Sequence, residues 1–130
     1  MSVKYELNEK GTRPWGEWEV ISIGDKHIVK KITVEPNQSL SLQLHNHRKE
    51  HWIITTGTAT VTVNNKVTEL QTGQSIDIPQ KTKHRMENKT DKIIQFIEIQ
   101  MGEILDENDI IRFEDKYNRS TEQYLQNKNR

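Results

Sequence analysis

Short runs of β-branched and aromatic residues, each closed by turn-forming residues, limit what this chain can fold into. Residues 17–23, 27–34, 39–46, 51–56, 58–63, 66–70, 75–78, 83–88 and 92–100 are strand-like in length and composition. Gly24-Asp25, Asn64-Asn65 and residues 88–91 supply the chemistry of tight connections. Nine such strands in succession predict an all-β sandwich or barrel whose closure protects its edges. At 130 residues there is room for one core, so a single domain is expected. The one helical turn predicted lies near Glu107 to Ile111. The domain is placed at 1–118, and residues 119–130, poor in apolar mass, are read as a polar C-terminal tail.

Two spaced patterns of polar residues stand out against this background. The first runs through Asn37, Gln43, His45, Glu50 and Gly57, and the second through Gly73, Pro79, His84 and Asn88. Gln43, His45, Glu50 and His84 are oxygen and nitrogen donors with no thiolate among them. Such a set suits one divalent ion, zinc first, with iron, manganese, cobalt or nickel as alternatives, and it leaves positions open for water or substrate. In a strand over 39–46, Ser41, Gln43, His45 and His47 share one face, while Leu40, Leu42 and Leu44 share the other. An ordinary solvent face opposite an apolar core face would show the same alternation. A lone His-x-His fits that bland reading, whereas the two patterns together favour the metal.

The residues that carry these patterns resemble the cupin superfamily, and within it the type II mannose-6-phosphate isomerase domain. The resemblance rests on Arg13-Pro-Trp-Gly16, on Leu40-Ser-Leu-Gln-Leu-His-Asn-His-Arg-Lys-Glu-His-Trp52, and on Ile78-Pro-Gln-Lys-Thr-Lys-His84. It continues through Ile97-Glu-Ile-Gln-Met-Gly102 and Glu107-Asn-Asp-Ile-Ile-Arg-Phe-Glu-Asp115, and spans about residues 12–119. It implies a double-stranded β-helix, or jelly-roll barrel, with Gln43, His45, Glu50 and His84 around the metal. Such a domain usually forms the C-terminal part of bifunctional enzymes that also carry a mannose-1-phosphate guanylyltransferase, and no Gly-rich nucleotidyltransferase motif is found in this chain. Cupins often have Gly where this chain has Asn37 and Lys81, which predicts left-handed backbone at both positions. Asn118 likewise replaces the family's usual Gly.

The implied reaction interconverts mannose 6-phosphate and fructose 6-phosphate, and its chemistry suggests roles for further residues. Arg112 lies in a segment similar to an arginine-bearing stretch of type I isomerases and is the candidate cation near the reacting oxygens; a surface ion pair with Asp109 or Asp115 is its bland alternative. For the proton carrier the candidates are His47, on the ligands' predicted face, and Glu98, which alternates with Ile97 and Ile99. His51 could orient the metal shell. Arg13, Lys30 and Lys31 are the phosphate candidates, whichever lysine faces inward. A non-catalytic binding module for sugar phosphates or sugar nucleotides, and a metal-dependent cupin oxygenase, are the rival readings.

Net charge balances at zero, from 19 basic and 19 acidic residues, which argues against nucleic-acid or membrane partners. The polar start Met1-Ser-Val-Lys-Tyr-Glu resembles no signal segment, and a cytoplasmic location is expected. The absence of cysteine excludes disulfides. A row of leucines at 40, 42 and 44 needs cover, from Trp15 and Trp18 or from a second copy, and a homodimer is expected.

Overall fold

A computed structural model describes residues 3–117, so the predicted tail and Asn118 lie outside the described residues. Eleven strands follow one another: β1 (Lys10–Arg13), β2 (Gly16–Ile23), β3 (His27–Val34), β4 (Leu42–Leu44), β5 (Arg48–Thr56), β6 (Ala59–Val63), β7 (Lys66–Leu70), β8 (Ser75–Ile78), β9 (His84–Glu87), β10 (Ile94–Gly102) and β11 (Ile111–Glu114). They form a six-stranded sheet in the order β1-β2-β3-β10-β5-β8 and a five-stranded sheet in the order β11-β4-β9-β6-β7. All strand pairings within the two sheets are antiparallel. The described residues contain no helix.

Period-two alternation explains the core. In β5, Arg48, Glu50, Trp52 and Ile54 are buried while Lys49 is exposed and His51 and Ile53 are half-buried. In β10, Ile94, Phe96, Glu98 and Gln100 are buried in the same rhythm. Register then stacks like against like. Phe96 stands opposite Ile32 and Ile54, forming the apolar end of the core. Glu98 stands opposite Lys30 and Trp52, and Gln100 opposite Glu50, forming a polar row on the same inner face. Burying an aromatic such as Phe96 contributes about 1.5–3 kcal/mol. The apolar end therefore carries the stability that lets the other end hold charge.

Three expectations need correction. The strand predicted at 39–46 is ordered as β4 only over Leu42–Leu44. It begins late because Ser39 forms an isolated bridge with Glu87 and the backbone at 40–41 is irregular. It ends early because the Asp109 carboxylate accepts the backbone N–H groups of Asn46 at 2.9 Å and His47 at 3.0 Å, bending the chain into β5. Consequently Leu40 packs half-buried against the core, and Leu42 and Leu44 are also half-buried, so no exposed leucine row exists. At 107–108 the chain makes a turn instead of a helical one, with the Asp106 carboxylate accepting the Asn108 N–H at 2.9 Å. Strands β1 and β11 escaped the sequence pattern, being four residues each with glycine or charges in them.

Asn37 and Lys81 adopt φ of 60° and 58°, as their replacement of glycine predicts. An L-residue in this region costs roughly 1–2 kcal/mol. Lys81→Gly should therefore raise stability by about 0.5–1 kcal/mol after the loss of unfolded-state restriction is offset. Gly57, at φ 91°, is the opposite case, since an added Cβ would meet the Ile93 carbonyl oxygen at 2.8 Å. Gly57→Ala should cost about 2 kcal/mol or more. Urea denaturation of both variants checks the two signs together.

Candidate metal centre and cavity

The bend held by Asp109 also positions the first histidine. His45 follows β4 directly, and its Nδ1 lies 2.7 Å from the Asp109 carbonyl oxygen. A carbonyl only accepts, so Nδ1 carries the hydrogen and Nε2 keeps its lone pair. His84 opens β9, and its Nδ1 lies 2.9 Å from the Thr82 carbonyl, which fixes the same tautomer. Its Nε2 is buried and has no hydrogen-bond partner among the described residues. Glu50 points inward from β5 between the two rings, with Oε2 at 3.2 Å from His45 Nε2 and Oε1 at 4.0 Å from His84 Nε2.

The donor atoms of His45, Glu50 and His84 all lie within 4.8 Å of one another, and all three residues are buried. Metal–ligand bonds of about 2.0–2.2 Å place donor pairs roughly 3–4 Å apart. The two separations to Glu50 fall in that range. The orphaned Nε2 of His84, the two fixed tautomers and the anionic oxygen thus fit a divalent ion. Gln43 stands opposite His84 across the β4–β9 pair, on the same face, with its amide nitrogen donating to Ser41 Oγ at 3.1 Å. Its oxygen is the remaining predicted donor.

Electrostatics keep the cluster ready. Burial pushes the His45 imidazole down to about 4, against the pull of Glu50 and with help from Arg48. Burial also lowers His84. Both rings are therefore neutral near pH 7 and able to ligate. Burial opposes ionisation of Glu50, but His45, Arg48 and His84 outweigh it and hold its carboxyl well below the ordinary range. Arg48 is the cation that matters most, since it stays charged. Its Nε donates to Glu50 Oε2 at 2.8 Å, and it is 5% exposed.

Beside the cluster lies a cavity of about 280 Å³, whose wall includes Arg13, Trp18, Lys30, Gln43, Arg48, Glu98, Glu107, Asn108 and Arg112. Arg48 and Gln43 therefore link the cavity to the histidines. Glu98 is buried in the wall, and its Oε2 accepts from Gln100 at 2.8 Å. The Trp52 indole N–H reaches Glu50 Oε1 at 2.9 Å and Glu98 Oε1 at 3.1 Å, tying the two carboxyls together. Burial first, and the neighbouring Glu50 carboxylate second, push Glu98 up to about 8. It therefore holds a proton at neutral pH.

The predicted site residues divide cleanly. The cluster gathers His45, Glu50 and His84, while Arg13, Lys30, Gln43, Glu98 and Arg112 reach the cavity. Three others do not come together with them. His47 is exposed on the bend, because the break after β4 shifts the phase of alternation. Lys31 is exposed on the outer face of β3, so Lys30 is the inward lysine. His51 also points outward and meets Asp77 at 2.6 Å, away from the metal shell. Arg48, Asp109, Tyr5 and Glu107 were missed as site residues. Alternation back from Glu50 would have placed Arg48 inward, whereas the Asp109 contacts depend on a loop 62–64 residues away and leave no local signal.

An antiparallel double sheet with two histidines and a carboxylate converging between its layers defines a cupin. Solved cupins share the fold. An RmlC-like cupin from Shewanella frigidimarina superposes with a TM-score of 0.67 at 16% identity, covering 78% of this chain and 95% of that one. The oxalate decarboxylase of Lactobacillus farciminis gives 0.70 at 19%, covering 81% and 33%. Within the cupins, the model of the mannose-6-phosphate isomerase C-terminal family matches residues 2–115, and the chain belongs to that family. It is 41% identical over 116 residues to the mannose-1-phosphate guanylyltransferase ManC of Salmonella typhimurium, covering 89% of this chain and 24% of that protein. It is 46% identical over 114 residues to the alginate biosynthesis protein AlgA of Pseudomonas aeruginosa, covering 88% and 24%. The chain thus spans about a quarter of the length of the curated relatives it matches.

The raised Glu98 has a measurable consequence. Its folded value of about 8 exceeds the unfolded value of 4.5, so its contribution to stability is full below about 4.5 and is lost as pH rises to about 8. His45 has the opposite sign, its contribution being lost as pH falls from 6.5 to about 4. Between pH 6.5 and 8 the Glu98 slope should stand out, at up to about 1.4 kcal/mol per pH unit. Glu98→Gln should flatten the curve in that window. Denaturation of metal-free wild type and variant at pH 6.5, 7.25 and 8 checks it, and parallel curves would contradict it.

Proposed function

We propose that the chain is a metal-dependent aldose–ketose isomerase interconverting mannose 6-phosphate and fructose 6-phosphate. The observation that carries the reading is a juxtaposition. A buried, proton-bearing Glu98 lines one cavity with Arg13, Lys30 and Arg112, and Arg48 in the same wall bonds Glu50 of the two-histidine, one-carboxylate cluster beside it. Family membership supports the sugar-phosphate assignment. His45, Glu50 and His84 would hold the ion, with Gln43 as a further oxygen donor. When bound, a divalent ion supplies Lewis acidity toward the sugar oxygens.

The chain's own groups would do the rest. Isomerisation moves a proton between C2 and C1 through an enediol(ate). A carboxyl with a pKa near 8 exchanges its proton readily at physiological pH, and the ionised form of Glu98 would take the proton from C2 and, as the acid so formed, return it to C1. Arg112 would stabilise the oxyanion of the enediolate from the β11 side, where it stands opposite Gln43. Arg48 would keep Glu50 ionised and oriented. His47 and Lys31, facing away from the cavity, have no part in this scheme.

Purified protein loaded with zinc, manganese or cobalt should convert fructose 6-phosphate in a coupled assay and exchange deuterium from C2 of mannose 6-phosphate. His45→Ala and His84→Ala should each lose most of the bound metal by elemental analysis. Arg112→Ala should keep the metal and lose about 100-fold or more in turnover. Metal-loaded protein that neither isomerises nor exchanges with any hexose or pentose phosphate would shift the reading to a binding module.

The reading includes a homodimer. Ile53 and Ile97, paired across β5 and β10, and Ile99 give the outer face of the six-stranded sheet an apolar surface for a second copy. Sedimentation equilibrium at micromolar concentration should return about twice the chain mass, and a monomer would remove this part of the reading.

A further inference from the structure

Isomerisation, as derived above, leaves one carboxylate in the cavity without a role. Glu107 Oε2 accepts the Tyr5 hydroxyl at 2.8 Å and lies 3.3 Å from Lys30 Nζ, while Oε1 lies 3.3 Å from an Arg13 guanidinium nitrogen. Two cations and a hydroxyl thus converge on one small anion. The same donors suit the oxygens of a phosphate monoester, which offers more acceptor positions than a carboxylate.

Tyr5 and Lys30 are held by packing, and Arg13 stands on β1 with its side chain 32% exposed. Lys30 is 2% exposed, and its ammonium sits between two rings, 4.4 Å from the Tyr5 centroid and 4.2 Å from that of Trp18. Tyr5 is itself buried against Trp18, edge to face at 5.9 Å. Arg13 lies 5.5 Å from the Trp18 ring. Glu107, in contrast, belongs to a turn and its side chain is 36% exposed. It can leave by a change of rotamer without breaking a strand ladder.

We infer that Tyr5, Arg13 and Lys30 form the phosphate subsite of the cavity, and that Glu107 is an internal ligand which the incoming phosphate displaces. The inference rests on the sugar-phosphate reading above, but it concerns binding and needs no turnover. While the subsite waits, Glu107 spares the buried Lys30 from standing unpaired. A dianion supplies two negative charges where Glu107 supplied one, and it then repels the released carboxylate toward solvent. Unphosphorylated mannose cannot make this exchange, because a neutral hydroxyl would leave both cations without a counter-charge. Glu107 therefore sets a threshold that only a strong anion crosses.

Isothermal titration and thermal shift with inorganic phosphate, mannose 6-phosphate and mannose test the inference on wild type, Glu107→Gln and Arg13→Gln. Glu107→Gln should melt lower without ligand and bind inorganic phosphate about tenfold or more tightly than wild type, recovering its melting temperature as it does. Arg13→Gln should lose about tenfold or more in phosphate affinity. Mannose should shift none of the three. Phosphate affinity unchanged or weaker in Glu107→Gln, or equal in Arg13→Gln and wild type, overturns the subsite. Should Glu107→Gln fail to fold, Tyr5→Phe carries the test: it keeps both cations, and its phosphate affinity must fall. Phosphate binding that follows these variants in a protein that does not isomerise leaves the subsite standing and removes only the isomerase. Isomerisation with phosphate affinity indifferent to all of them removes only the subsite.

Discussion

The buried carboxylate of Glu50 is the constraint around which the rest of the site is arranged. It is 2% exposed, and a lone charge at that depth would be neutralised or would unfold its surroundings. Arg48, two residues earlier on the same face of β5, supplies the permanent counter-charge at 2.8 Å. The Trp52 indole, two residues later, supplies a neutral donor. One strand therefore carries the anion, its cation and its hydrogen-bond donor in successive inward positions. With Glu50 held ionised, burial, helped by the Arg48 charge, keeps both imidazoles neutral, and three donors of the right kind face one point. The neighbouring Glu98 is pushed the other way by the same charge. Two carboxyls joined through one indole thus take different states, one ionised beside the histidines and one holding a proton.

Asp109 connects this site to the fold. Its carboxylate caps the bend after β4 and its carbonyl orients His45. A substitution there would disturb the strand connection and the imidazole together. The cavity depends on the same segment, since Glu107, Asn108 and Arg112 line it from both sides of Asp109. His45 and one side of the cavity are thereby positioned by one loop leading into an edge strand.

Much of this was legible in the sequence, for physical reasons. Alternation and turn residues located β2, β3 and β6 to β8 closely, because half-buried strands must alternate. The gathering of His45, Glu50 and His84 was legible because their spacing is tied to strand and turn geometry, and Asn37 and Lys81 betrayed left-handed backbone where glycine is usual. What failed was phase. A bend at 46–47 resets the alternation, so His47 faces solvent while Arg48 and Glu50 face in. Lys30 and Lys31 could not be separated locally, because pairing with β10 decides which one stands opposite Glu98. Tyr5 lies 25 residues from Lys30 and 102 from Glu107, and contacts of that range leave no periodic trace.

The isomerisation proposed for the chain depends on His45, Glu50 and His84 forming one metal centre. X-ray absorption spectroscopy of the zinc- or cobalt-loaded protein tests that most directly, because it counts scatterers of each kind around the ion. The account predicts one ion per chain with two imidazoles, the remaining positions filled by oxygen or nitrogen, and no sulfur. A shell without imidazole scattering, or no stoichiometric uptake by the folded protein, would contradict it.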